Sequence, residues 1–104
     1  MDGQLKRGFL EACVLAALAR HDSYGYQIIK DIPEQLGLTE STLYPILKRL
    51  EQAQCLIVYS VEHSGRLRKY YRITNCGTQR INEFITEWED VVAFHDYIRG
   101  GITS

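Results

Sequence analysis

Six basic side chains crowd into residues 39–74 of this chain, and many of their neighbours are hydroxyls rather than carboxylates. Lys48 and Arg49 follow Thr39, Ser41, Thr42 and Tyr44 on one segment; Arg66, Arg68, Lys69 and Arg72 follow Gly65 on another. Ammonium, guanidinium and hydroxyl groups at that density donate hydrogen bonds to phosphate oxygens and to base edges, which is the chemistry of a nucleic-acid surface. The six cations stand against Glu40, Glu51 and Glu62, a net of +3. Residues 75–104 reverse the sign, with Arg80 and Arg99 against Glu83, Glu87, Glu89, Asp90 and Asp96, a net of -3. The overall charge of -1 therefore conceals a local polarity. Screening over about 8 Å at physiological salt lets a basic face act beside an acidic one.

Other chemistries lack their parts. There is no Ser/His/Asp set, no phosphate loop, and no pair of carboxylates outside a solvated helix face, so an enzyme is not expected. Cys13, Cys55 and Cys76 form no Cys-x-x-Cys pair, and His21, His63 and His95 do not stand at ligand spacing. The expectation is incidental thiols, no metal and no cofactor. No apolar run approaches the roughly 20 residues of a membrane span, and the opening Met-Asp-Gly-Gln-Leu-Lys lacks the apolar stretch of a secretory signal. A cytoplasmic protein without a membrane partner is the simplest reading.

A chain of 104 residues, 45% hydrophobic and 24% charged, suits one small folded unit. Periodicity divides it into the elements that must position the basic groups. From Leu5 to about Arg20, Phe9, Leu10, Cys13, Val14, Ala17 and Leu18 form a helical stripe. Ser23 is placed to cap a second helix carrying Ile28, Ile29 and Ile32, with Pro33 at its end and Gly37 in the turn beyond. A third helix starts at Thr39, with Glu40 complementing its dipole, and Leu43, Ile46, Leu47 and Leu50 repeat at i, i+3, i+4 and i+7. Burying that face turns Ser41, Thr42, Tyr44, Lys48 and Arg49 outward or to the flanks. Pro45 removes one hydrogen bond, to the carbonyl of Ser41, and should bend or open the first turn.

After Cys55 the period changes to two. Leu56–Val61 and Leu67–Ile73 read as strands joined by a loop over residues 62–66, a hairpin with a cationic tip. The same charges would also protect an edge strand from aggregation. From Thr74 to about Arg99 runs a helix of roughly 37 Å, with Gly100 onwards a frayed end. Its stripe, Ile81, Phe84, Ile85, Trp88, Val91, Val92, His95 and Ile98, follows a near 3.5-residue repeat and is too long for a small domain to cover. A second copy of the same helix is the simplest cover. Trp88 reads by its place in the stripe as a dimer-core aromatic. Tyr24 and Tyr44 read as DNA-facing, Tyr26 and Tyr71 as structural.

The resulting class is mainly α (α+β): a winged helix-turn-helix over residues 1–74 with a dimerisation helix and tail over 75–104. Tyr24-Gly25-Tyr26 with Ile28-Ile29-Lys30, then Thr42-Leu43-Tyr44-Pro45 with Leu47 and Arg49-Leu50-Glu51, then Gly65-Arg66-x-Arg68-Lys69-Tyr70-Tyr71-Arg72-Ile73-Thr74 resemble the PadR family of bacterial transcriptional regulators. The likeness spans roughly residues 5–98 and matches the shorter branch, with one helix after the wing. It implies a homodimeric repressor on a palindromic DNA operator. It implies that the third helix enters the major groove with Ser41, Thr42, Tyr44, Lys48 and Arg49, and that Gly65, Arg66, Arg68 and Lys69 form the wing tip. It also implies that Tyr24 approaches the phosphates, and that a flat aromatic effector stacks on Trp88. The chain departs from the pattern at Gln54 and Ser41, where glycines are usual, and around Pro33. A winged-helix module for protein association, without DNA, is the rival reading; the retained basic wing speaks against it.

Overall fold

The expected first stripe turns inward along α1 (Gly3–Arg20), where Leu10, Val14, Leu15 and Leu18 are buried. The structure, a computed structural model, describes residues 3–103, so the expected outer limits at 1 and 104 lie outside the described residues. α2 (Gly25–Asp31) follows, then α3 (Glu40–Gln52), with a single 3-10 turn over Glu34–Leu36 between them. β1 (Leu56–His63) and β2 (Arg66–Ile73) pair antiparallel, Leu56 opposite Ile73 and His63 opposite Arg66, and α4 (Asn75–Thr103) follows. One core, drawn from α1, α2, α3, Cys55, Leu56 and Tyr71, holds these elements together.

α3 behaves as its periodicity demands. Leu43, Ile46, Leu47 and Leu50 are all buried, each contributing roughly 1.5–3 kcal/mol by leaving water. Thr39 is the N-cap, yet its hydroxyl makes no capping bond; its carbonyl takes the amides of Thr42 and Leu43 at 3.1 and 2.8 Å. The helix runs unbroken through Pro45, so the opened first turn expected there does not interrupt it. At the other end the Cys55 amide donates to the Leu50 carbonyl (2.8 Å) and the Gln54 amide to that of Glu51 (2.9 Å). This is a Schellman motif whose left-handed position is filled by Gln54, at φ 63°.

Several boundaries differ from the sequence reading. Ser23 caps nothing: its backbone pairs with Tyr71 (3.2 and 2.8 Å), tying the start of α2 to the sheet, and Tyr24 takes the N-cap position. The hairpin loop shrinks from five residues to two, Ser64 and Gly65, both with positive φ (52° and 77°), the geometry that matches strand twist. The frayed end is absent as far as Thr103, because α4 continues through Gly100 and Gly101. Its start is as expected, with the Gly77 amide donating to the Thr74 hydroxyl at 3.2 Å.

Among the described residues, the contacts of α4 with the body lie along its first half. Phe9 of α1 meets Phe84 and Trp88 edge-on, at 5.4 and 4.6 Å between ring centres, and Arg80 pairs with Glu11 at 3.0 Å. Beyond Trp88 the apolar face stands open: Phe94 and Ile98 are each 65% exposed. The radius of gyration, 16.3 Å, exceeds the roughly 13 Å of a compact chain this long, and the molecule measures 64 × 26 × 20 Å.

Candidate nucleic-acid interface

The outward side of α3 carries the chemistry singled out above. Thr39, Ser41, Thr42, Tyr44, Lys48 and Arg49 are all exposed, directly opposite the buried leucines. The Thr39 hydroxyl lies 3.1 Å from the hydroxyls of both Ser41 and Thr42, a polar cluster on the first turn. α3 stands between two hollows of about 330 Å³ each. On the wing side Tyr24, Glu40, Tyr44, Arg68 and Lys69 come together with Gly25, Tyr26 and Tyr71. On the far side Thr42, Pro45, Ile46 and Arg49 face Gly3, Lys6, Arg7 and Leu10 of α1.

Two residues of the wing-side hollow are held before any ligand arrives. The Arg68 guanidinium sits 4.1 Å over the centre of the Tyr24 ring, and that ring leans on Tyr70 at 5.3 Å. Tyr44, half exposed, packs over the first turn of α2 only because residue 25 is glycine: a Cβ there would stand 2.8 Å from the Tyr44 hydroxyl oxygen. Gly65, Arg66 and Lys69 are exposed along the hairpin, Gly65 and Arg66 at its very end.

Arg72, counted among the basic residues, is otherwise engaged. It donates through Nε to Asp22 at 2.9 Å, with a second nitrogen also at 2.9 Å, while the Tyr59 hydroxyl donates to the same carboxylate oxygen. The bonds from Arg72, then that from Tyr59, hold the Asp22 carboxyl below the usual carboxylate range. The Asp22 network braces the start of α2 against the sheet and leaves Arg66, Arg68 and Lys69 as the outward cations of β2.

Tyr71 is structural, as expected, and buried; Tyr26 is not, being 59% exposed beneath the Lys30 ammonium at 4.9 Å. Lys6 and Arg7 were missed as partners of this face. Their charge is visible in sequence, but their place across the hollow from Thr42 and Arg49 is set by the fold.

The residues of α4 lie apart from this surface. Ile81, Phe84 and Trp88 are partly buried against the body, whereas Ile85, Val91, Val92, His95 and Ile98 are exposed. Phe84 and Trp88 lie nearly parallel, 6.3 Å apart, and with Ile85, Glu89 and Val92 they line a shallow apolar hollow of about 320 Å³. Among the described residues no helix is long and apolar enough to cross a membrane.

Three helices, a two-stranded wing and a long closing helix, with cations and hydroxyls gathered on the third helix and the wing, define a DNA-binding regulator of the winged helix-turn-helix class. The chain belongs to the PadR-like family of transcriptional regulators: residues 14–83 match that family's sequence pattern. Its members regulate transcription and are not enzymes. An uncharacterised protein of Lysinibacillus sphaericus is 34% identical over 101 residues, covering 92% of this chain and 93% of its own. A transcriptional regulator of Clostridium thermocellum has a similar structure, with 31% identity, a TM-score of 0.81 and coverage of 93% and 96%. So does a PadR family transcription regulator of Clostridium difficile, with 30% identity, a TM-score of 0.77 and coverage of 86% and 97%.

Proposed function

We propose that this chain is a homodimeric, sequence-specific repressor that binds a palindromic operator in double-stranded DNA and is released by a small aromatic effector. The observation that carries the reading is the division of α3. Its apolar side is fully buried, and its hydroxyl and cationic side is presented between a basic wing and the basic start of α1. A helix so mounted fits the major groove. Ser41, Thr42 and Tyr44 would meet base edges and the nearest phosphates. Lys48 and Arg49, with Lys6 and Arg7, would hold the backbone on one flank, and Tyr24, Arg66, Arg68 and Lys69 on the other. Gly65 lets the wing tip approach closely.

Residues 1–74 then form the DNA-binding part and residues 75–104 the dimerisation part. Pairing of α4 across a twofold axis would cover the open stripe and set two α3 helices about 34 Å apart, one turn of duplex. The hollow beside Trp88 is apolar and shallow enough for a planar ring, whose binding would favour a dimer with a different spacing. Such a repressor works in the cytoplasm.

Binding to the DNA upstream of its own gene, followed by fluorescence anisotropy across a salt series, tests the interface. Lys48→Ala and Arg68→Ala are each expected to weaken binding to every sequence and to lower the salt slope by about 1. A slope left unchanged by both would remove the assigned phosphate contacts.

A further inference from the structure

Two of the three cysteines meet where the recognition helix ends and the long helix begins. Cys55 closes the Schellman motif of α3 with its amide and is wholly buried; Cys76 is the second residue of α4 and is exposed. Their sulfurs lie 4.0 Å apart, the Cys55 thiol donating toward Sγ of Cys76. The backbone at this junction is drawn tight. The Thr74 amide donates to the Cys55 carbonyl at 3.0 Å, and the Thr74 hydroxyl to the Gln54 carbonyl at 2.7 Å. A Cβ at Gly77 would stand 2.6 Å from the Cys55 carbonyl oxygen, so the first turn of α4 rests directly on the Cys55 backbone.

We propose that Cys55 and Cys76 are a reversible thiol pair that a hydroperoxide converts to an intramolecular disulfide, locking the end of α3 to the start of α4. A disulfide needs sulfurs about 2.05 Å apart, so closure requires an approach of roughly 2 Å. The exposed Cys76 side chain has room to turn. Cys76 is the accessible member and reacts first: its sulfur attacks one peroxide oxygen, the O–O bond breaks, and the released hydroxide takes a proton to become water. The product is a sulfenic acid. The Cys55 sulfur then attacks the Cys76 sulfur; the S–S bond forms, the S–O bond breaks, and the leaving hydroxide takes the Cys55 proton as a second water. Two thiols and one hydroperoxide thus give one disulfide and two waters when the oxidant is hydrogen peroxide. A dithiol reductant reverses the change. Burial beside the exposed Cys76 sulfur suits Cys55 to the resolving role. Cys13, on α1, takes no part.

The test treats the intact native chain with hydrogen peroxide, then blocks remaining thiols in denaturant and maps the tryptic peptides. The expected result is a loss of two hydrogen atoms, a link between peptides 50–66 and 73–80, and blocking at Cys13 alone. Dithiothreitol should restore three free thiols, and Cys76→Ser should abolish the link while its thermal melting matches wild type. Three blocked cysteines, a sulfinic acid at Cys76, or a link through Cys13 or between two chains would each overturn the pair. The consequence at DNA rests on the proposed function and is read separately. Oxidised wild type should bind the upstream DNA severalfold more weakly than reduced, and Cys76→Ser should not respond. Equal affinity of linked and reduced chains would overturn the coupling to α3. Absence of binding in both states would count against the functional reading, because the peptide map stands on its own.

Discussion

Gly25 and Asp22 show how single residues beside the candidate interface shape it through their neighbours. The missing side chain of Gly25 is the space in which the Tyr44 hydroxyl lies, so Gly25→Ala must push the end of that ring aside. The displaced atom belongs to a half-exposed side chain that can swing, which makes the fold tolerant. The expected outcome is a melting temperature close to wild type with DNA affinity weakened by about 1 kcal/mol, the worth of one misplaced contact. Anisotropy beside a thermal melt separates the two effects. Asp22 acts through protons. Its carboxyl is held low by Arg72 and Tyr59, so it adds stability that is complete above its unfolded value near 3.9 and is lost as the pH falls through the folded one. The Asp22→Asn variant lacks this contribution. The stability gap between it and wild type, from urea titrations at several pH values, should be constant near neutrality and close below about pH 4. A gap that widened in acid would contradict the assignment. The gap itself should be small, because Arg72 is largely in water.

The elements show what a sequence discloses and what it withholds. The inner face of α3 was legible because Leu43, Ile46, Leu47 and Leu50 obey the helical period, and the outer face followed by subtraction. Ser23 misled because its pairing with Tyr71 spans a distance in sequence that no local pattern carries. Residues 62–66 suit a hairpin loop by their length and by the place of Gly65, yet cross-strand pairing extends to His63 and Arg66 and leaves Ser64 and Gly65 as the turn. Gly100 and Gly101 suggested an end to α4 that its continuous hydrogen bonding ignores. In the candidate site, residue types were readable and neighbours were not: nothing near Lys6 in the chain announces Arg49. The exit from α3 supplies a direct check. Gln54 holds a left-handed conformation that glycine adopts freely, so Gln54→Gly should stabilise the fold by about 1 kcal/mol in urea unfolding. A loss of stability would mean that the Gln54 side chain makes a contribution exceeding its backbone strain.

At the scale of the whole molecule the decisive feature is the open half of α4. An apolar face with Phe94 and Ile98 two-thirds exposed is costly to leave in water, and the proposed twofold pairing would bury it. Ile98→Glu is therefore expected to leave the winged-helix body folded while weakening self-association by on the order of 3 kcal/mol or more, the penalty of an unpaired carboxylate in a closed seam. Sedimentation velocity reads the association state, and circular dichroism the fold. A variant that sediments as wild type does would rule out this face as the seam. The slender outline of the protomer has a mechanical corollary. A body 64 Å long and less than half as wide is a lever, and in the proposed dimer, with its fulcrum at the seam, a tilt of a few degrees would swing the far end by about 3.4 Å, one step along the base-pair ladder. Small angular adjustments at one end would thus suffice to put two reading heads out of step with their half-sites.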